Sequence, residues 1–206
     1  MISTRYRFLF IHVPKTAGNS IQNVLAEYSD DELVCLGPHQ DGLERFEVRS
    51  KNFNTHKHST FSDYRRECGD EMLKGLVKFC CVRNPWERAV SHYFSPHRGK
   101  VTWSKNEFLQ FIRTDVMPLR LYLAADDSEE RNLQRAITNM SYILRFETLQ
   151  VDFENLCNLL GLPLKVLANL NKSHHDEYKK YYDAESAGAV FERFHDEIGH
   201  FGYALT

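Results

Sequence analysis

Three short stretches of this chain carry residue types whose spacing could do chemistry on an anion. Pro14-Lys15-Thr16-Ala17-Gly18-Asn19-Ser20 follows an apolar run and precedes a helical pattern, so successive backbone N–H groups and the positive helix end can surround an oxyanion. Lys15 adds a mobile charge, Gly18 lets the backbone approach closely, and Asn19 or Ser20 can donate from a side chain. The same residues also read as an ordinary turn with a surface lysine. The second stretch, Arg83 to Ser91, begins where another apolar run ends. Arg83 can fork onto a phosphate; Ser91, two helical turns on, reaches the same anion if that helix lies alongside it. Arg88 is expected to pair with Glu87 or another carboxylate, and an arginine such as Arg83 at a strand end also reads as a structural ion pair. The third stretch is Thr55-His56-Lys57-His58-Ser59-Thr60, whose H-x-H pair suits proton transfer near neutrality. A packing role or zinc are the other readings, although no third and fourth zinc ligands stand out.

The first loop differs from the ATP-binding P-loop, in which lysine directly follows the last glycine and a hydroxyl follows for magnesium. Here Lys15 precedes Gly18, and Asn19 stands where that lysine would be. The loop is therefore expected to hold a phosphate without the usual metal site.

These stretches need elements to position them. Phe8 to Val13 reads as a buried strand, and Ile21, Val24 and Leu25 recur at helical spacing after it. Leu76 to Val82 and Tyr142 to Phe146 read as two further strands, each followed by a helix: Trp86 to Phe94 behind Pro85, and Leu149 to Leu160 ending at Gly161. Thr60 with Asp63 and Ser104 with Glu107 have capping-box spacing, so helices are expected just after His58 towards Cys68 and ahead of Phe108, Phe111 and Ile112. A last helix is expected over about Glu185 to His195, with Val190, Phe191 and Phe194 on one face. Residues Ser29 to Ser50 show no clear period and are read as a long irregular connection, and Ser95 to Lys105 as an exposed basic loop. Strands alternating with helices predict an α/β fold with a central parallel sheet covered on both faces, and ligands bind beyond the carboxyl ends of such strands.

With 206 residues, 42% of them hydrophobic, the chain suffices for one full core, and a single domain over 1–206 is expected. A net charge of −2 offers no global field for nucleic acid or an anionic membrane, so any anion site must be local. Cys35, Cys68, Cys80, Cys81 and Cys157 lack C-x-x-C spacing and read as buried thiols in a reducing compartment. The polar Met1 to Arg7 leads into a run far too short to span a membrane, so neither a signal peptide nor a transmembrane helix is read and a cytoplasmic location is expected. Oligomeric state is not legible.

HVPKTAGNSI followed by CVRNPWERAVSHYF resembles the pair of signatures of the sulfotransferases that use 3′-phosphoadenosine 5′-phosphosulfate (PAPS), especially the carbohydrate type related to heparan sulfate 2-O-sulfotransferase. The resemblance continues through ILRFETL, NLNKSHH and IGHFGY, with the strong matches in the two nucleotide signatures. It implies the P-loop-like sulfotransferase fold. It also implies that Lys15, Thr16, Ala17, Gly18, Asn19 and Ser20 hold the 5′-phosphosulfate, that Arg83 and Ser91 hold the 3′-phosphate, and that Lys172 and Ser173 close over the nucleotide. His58 falls at the family's base position, His56 assists or orients it, and Lys15 meets the charge left on the departing nucleotide. The product would be 3′-phosphoadenosine 5′-phosphate (PAP), no metal is expected, and the acceptor is a hydroxyl on a carbohydrate or small alcohol. Asn19 departs from the family's usual threonine or serine, although its amide can still donate. Arg145 and Glu147, at the third strand's end, either line the acceptor site or pair with each other. Two other readings stand beside this one: a nucleotide kinase using Mg-ATP, and a noncatalytic nucleotide-binding module.

Overall fold

The computed structural model describes residues 1–38, 44–95, 101–168 and 176–205. In chain order the elements are β1 (Ile2–Ser3), β2 (Phe8–Ile11), α1 (Gly18–Leu25), β3 (Glu32–Pro38), β4 (Glu44–Arg49), α2 (Phe61–Cys68), α3 (Asp70–Lys74), β5 (Val77–Val82), α4 (Pro85–Tyr93), α5 (Lys105–Thr114), α6 (Leu119–Leu123), α7 (Leu133–Ile137), β6 (Tyr142–Arg145), α8 (Leu149–Leu160) and α9 (Ala184–Phe201). The central sheet has the order β1-β2-β5-β6. β2, β5 and β6 are parallel, and β1 closes one edge antiparallel to β2.

Period-two alternation explains how this sheet is covered. Leu9, Ile11, Val13, Cys80 and Val82 face one way, onto Phe61 and Tyr64 of α2, Leu119 and Leu123 of α6, and Leu133 of α7. Phe8, Phe10, Phe79, Cys81 and Leu144 face the other way, onto Ile21 and Leu25 of α1 and Phe153 and Leu156 of α8. β2 is buried on both faces, as is β5 from Phe79 to Val82, which is why these stretches read as short apolar runs. A third cluster, built from Trp86, Val90 and Tyr93 of α4, Phe108 and Ile112 of α5, and Val190 and Phe194 of α9, fixes the helix that follows β5.

Helix boundaries follow the local chemistry. Thr60 and Asp63 form a complete capping box at the start of α2, Pro85 takes the first turn of α4, and Gly161 ends α8 in the left-handed region at φ 65°.

The structure corrects four expectations. Residues 29–50 are not an irregular connection: β3 and β4 pair as an antiparallel hairpin, with a register shift between Cys35 and Gly37. Leu33, Phe46 and Val48 from it pack on the α1 side of the core; Phe46 to Arg49 alternate, but Leu33 to Leu36 do not, and the register shift interrupts the pairing. α9 runs on to Phe201 before Gly202 ends it at φ 68°, and Phe191 is 53% exposed. At 100° per residue Phe191 rotates off the face that Val190 and Phe194 share. Cys35 is exposed and Cys68 half-buried, whereas Cys80, Cys81 and Cys157 are buried. No helix among the described residues is long and apolar enough to cross a membrane.

Candidate functional site

The parallel strands deliver Val13, Arg83 and Phe146 to one edge of the sheet, since Val82 lies opposite Arg145 and Ile11 opposite Cys80. The first loop leaves β2 there. Lys15 and Ala17 both take left-handed backbone conformations, at φ 68° and 63°. Non-glycine residues in that region store on the order of 1 kcal/mol each or more. Left-handed residues interleaved with right-handed ones turn successive N–H groups to one side, forming a concavity for an anion. Ala17 then serves as N-cap of α1 without a side-chain hydrogen bond, and the first turn carries no acidic residue. The positive helix end is therefore uncompensated by the chain's own side chains. Thr16 is fully buried and its hydroxyl donates to the Val13 carbonyl at 2.8 Å, so its offer to an anion is its backbone N–H. Ser20 is buried; Lys15 and Asn19 are partly exposed at the rim.

Arg83 comes to the same loop from β5. Its Nη1 donates to the Lys15 carbonyl at 3.0 Å, its Nη2 pairs with Glu87 at 2.8 Å, and the guanidinium lies 3.8 Å from the centre of the Phe146 ring. The buried Nε has no hydrogen-bond partner among the described residues. Of the two kinds of partner expected for Arg88, Glu87 goes instead to Arg83, one helical turn away, and another carboxylate, buried rather than on the surface, takes its place. Arg88 is buried, pairs with Glu197 of α9 at 3.4 Å and donates to the Met117 carbonyl. Ser91 lies buried on α4. Arg145 and Glu147 do not pair with each other. Arg145 donates to the Phe201 carbonyl, while Glu147 accepts from the Asn84 backbone at 2.8 Å and from the Tyr203 hydroxyl at 3.2 Å, pinning the turn after Arg83.

The histidine stretch is held from two sides. The hairpin holds it through a bridge between Arg49 and His56, through Glu47 accepting from the Lys57 backbone at 2.7 Å, and through the Phe46 carbonyl accepting from Lys57 Nζ at 2.8 Å. The Thr60 cap of α2 holds it from the other side. His56 is exposed, its backbone N–H donating to Ser59. His58 puts its Nδ1 3.2 Å from the His12 carbonyl, with the two imidazole centres 4.4 Å apart. His58 is exposed as a residue, yet its ring loses hydration where it packs on the protein, which lowers its pKa below 6.5. Lys57 and His56 add to this; the His12 carbonyl and Glu47 oppose it.

His12 was not singled out by the sequence. It stands at a position that alternation turns towards Phe10 and α1, and a polar residue closing an otherwise apolar strand was the available signal. Among the described residues no group of three or more His, Cys, Asp or Glu is arranged to hold a metal ion. Lys172 and Ser173 lie outside the described residues, as do residues 96–100 of the basic loop.

A family model described as Sulfotransferase family matches residues 1–204. An uncharacterized protein of Archaeoglobus fulgidus is 25% identical over 116 residues, covering 56% of this chain and 93% of that protein. Carbohydrate sulfotransferase 12 of Mus musculus is 29% identical over 129 residues, which is 59% of this chain but 29% of the mouse protein. No solved structure gives a significant match. A match over nearly the whole chain, on an α/β sheet flanked by helices, means that this protein belongs to the sulfotransferase family.

Proposed function

We propose that residues 1–206 act as one domain that transfers a sulfuryl group from PAPS to a hydroxyl acceptor, with His58 as base. The observation that carries this reading is the convergence on residues 12–18: an uncapped helix start behind two left-handed residues, with Arg83 hydrogen-bonded to the Lys15 carbonyl and His58 to the His12 carbonyl. The donor set fits a polyanionic nucleotide, being backbone N–H groups and Lys15 with the Arg83 guanidinium beside them.

Bound PAPS would supply the sulfuryl group and a phosphate able to leave. The loop N–H groups and Lys15 stabilise the negative charge that grows on that phosphate as its bond to sulfur breaks. Arg83 and Ser91 hold the 3′-phosphate. A carbonyl oxygen only accepts, so the hydrogen bond to His12 puts the proton of neutral His58 on Nδ1 and leaves the Nε2 lone pair to take the acceptor's proton as its oxygen bonds to sulfur. A pKa below 6.5 keeps His58 neutral, and so competent, at pH 7. The name of the mouse relative favours a carbohydrate acceptor.

The test is unfolding with PAP, AMP or Mg-ATP. At about a hundred times its dissociation constant, PAP should add roughly 2.7 kcal/mol. His58→Ala should keep that increment but lose sulfuryl transfer from PAPS. Equal or greater stabilisation by Mg-ATP would overturn the donor assignment in favour of a kinase.

A further inference from the structure

His12 is buried, and nothing in the reaction as described uses its side chain. Its ring nevertheless occupies the junction between the anion loop and the base. On one side, a Cβ built on Gly18 would fall 2.0 Å from both Cδ2 and Nε2 of the His12 ring, so the first residue of α1 has to be glycine for the ring to lie there. On the other side, the His58 ring centre is 4.4 Å away. Phe10 stacks on it from within the strand at 5.9 Å. Gln22, one turn along α1 from Gly18, is fully buried beside the His12 ring and acts on it as a weak polar partner, although neither its amide atoms nor His12 Nδ1 reach full hydrogen-bond geometry. Buried polar groups of this kind cost free energy that a purely packing role would avoid with an apolar residue.

We infer that His12 is a positioning residue for sulfuryl transfer: its ring, wedged between Gly18 and His58, sets the spacing between the anion loop and the base and keeps Nε2 of His58 turned out as the proton acceptor. The inference rests on the proposed role of His58. Its structural half, that the ring controls the state of His58, stands independently. The groups that face His58 are His12, Lys57, Glu47 and His56, and the His12 ring also lies against Gly18 of the anion loop.

The experiment is an NMR titration of labelled histidines in the full chain, following the midpoint of His58 and its tautomer through the ring nitrogen shifts. In the wild type His58 should be protonated on Nδ1 when neutral, with a midpoint below 6.5. In His12→Ala the backbone carbonyl remains, but water enters the space the ring vacates and His58 is no longer held against that carbonyl, so the midpoint should rise towards 6.5 and the preference for Nδ1–H should weaken. Gly18→Ala should reproduce this by expelling the ring. In the His12→Ala background it should move His58 no further, since the atom it clashes with is gone. An unchanged midpoint and tautomer in folded His12→Ala, or additive effects of the two substitutions, would overturn the inference. PAP binding, measured on the same samples, separates the two claims. If wild type fails to bind PAP the donor reading falls whatever the titration shows; if PAP binds and His58 ignores His12, the positioning role falls alone.

Discussion

Arg83→Ala would remove three contacts that one guanidinium makes: the 3.0 Å bond to the Lys15 carbonyl, the 2.8 Å pair with Glu87, and the face of Phe146 at 3.8 Å. The hydrogen bond from a charged donor is worth about 1.5 to 3 kcal/mol. The pair with Glu87 is discounted to about 0.5 kcal/mol, because Glu87 is 26% exposed and solvent screens it. The stacked ring contributes on the order of 1 kcal/mol. These terms share a single group and do not add fully, which leaves a loss of about 3 kcal/mol. At roughly 2 to 4 °C per kcal/mol for a chain of this size, Tm should fall by about 6 to 12 °C. Urea unfolding at pH 7 of wild type, Arg83→Ala, Arg83→Lys and Glu87→Gln measures it, with an unchanged slope as the check on two-state behaviour. Lysine can keep one of the two polar contacts and should fall between wild type and alanine, while Glu87→Gln should cost under about 1 kcal/mol. An alanine variant within about 0.5 kcal/mol of wild type, the range of an ordinary surface substitution, would mean that Arg83 does not hold the loop.

Two further perturbations probe buried charge. Burial, reinforced by His58 and Lys57, holds the His12 pKa well below 6.5. The unfolded chain therefore takes up this proton at a higher pH than the folded one, and stability falls as pH drops below 6.5, by up to about 1.4 kcal/mol per unit for this group. Denaturation of wild type and His12→Ala at pH 7.5, 6.5 and 5.5 should show their difference narrowing towards acid, and a constant difference would count against a buried neutral His12. Arg88 and Glu197 are each 4% exposed, and Glu197 also accepts from the Leu119 backbone at 2.6 Å. Glu197→Leu should cost about 3 to 5 kcal/mol by stranding Arg88, and adding Arg88→Met should recover part of it in a double-mutant cycle; no recovery would mean that the Leu119 bond is what matters.

The sheet and its loops were legible because β2 and the second half of β5, buried on both faces, leave short apolar runs, and Gly161, Pro85 and the Thr60–Asp63 box mark helix ends by local chemistry alone. The hairpin of β3 and β4 was not legible. Only Phe46 to Arg49 alternate, Leu33 to Leu36 are apolar throughout, and a register shift interrupts the pairing, so the pattern that marks a hairpin is too short to read, and Leu33, Phe46 and Val48 are held by packing in the same cluster as α1 and α8. That omission hid what positions the histidine stretch, since Phe46, Glu47 and Arg49 are the residues that grip Lys57 and His56. The partners of Arg88, Arg145 and Glu147 were equally out of reach. Sequence spacing offers each charge a neighbour one turn away, whereas Glu197, Phe201 and Tyr203 arrive from the end of the chain.

What ties the site together is main chain. His58 and Arg83 each reach the anion loop through a carbonyl, of His12 and of Lys15, rather than through a side chain. Apart from the His12 ring, the geometry therefore depends on the conformation of residues 13–17 more than on their side-chain identity. It also makes Asn19 in place of threonine or serine a small change, because a helix start supplies backbone N–H groups whatever follows it. The sensitive positions are those where conformation is exceptional. At Ala17, φ 63° suits alanine poorly, glycine well and a β-branched residue hardly at all, and at Gly18 any side chain meets the His12 ring. Two adjacent small residues thus hold the phosphate-facing backbone and the base in one arrangement, which explains why the motif contains them where neither contributes a functional group of its own.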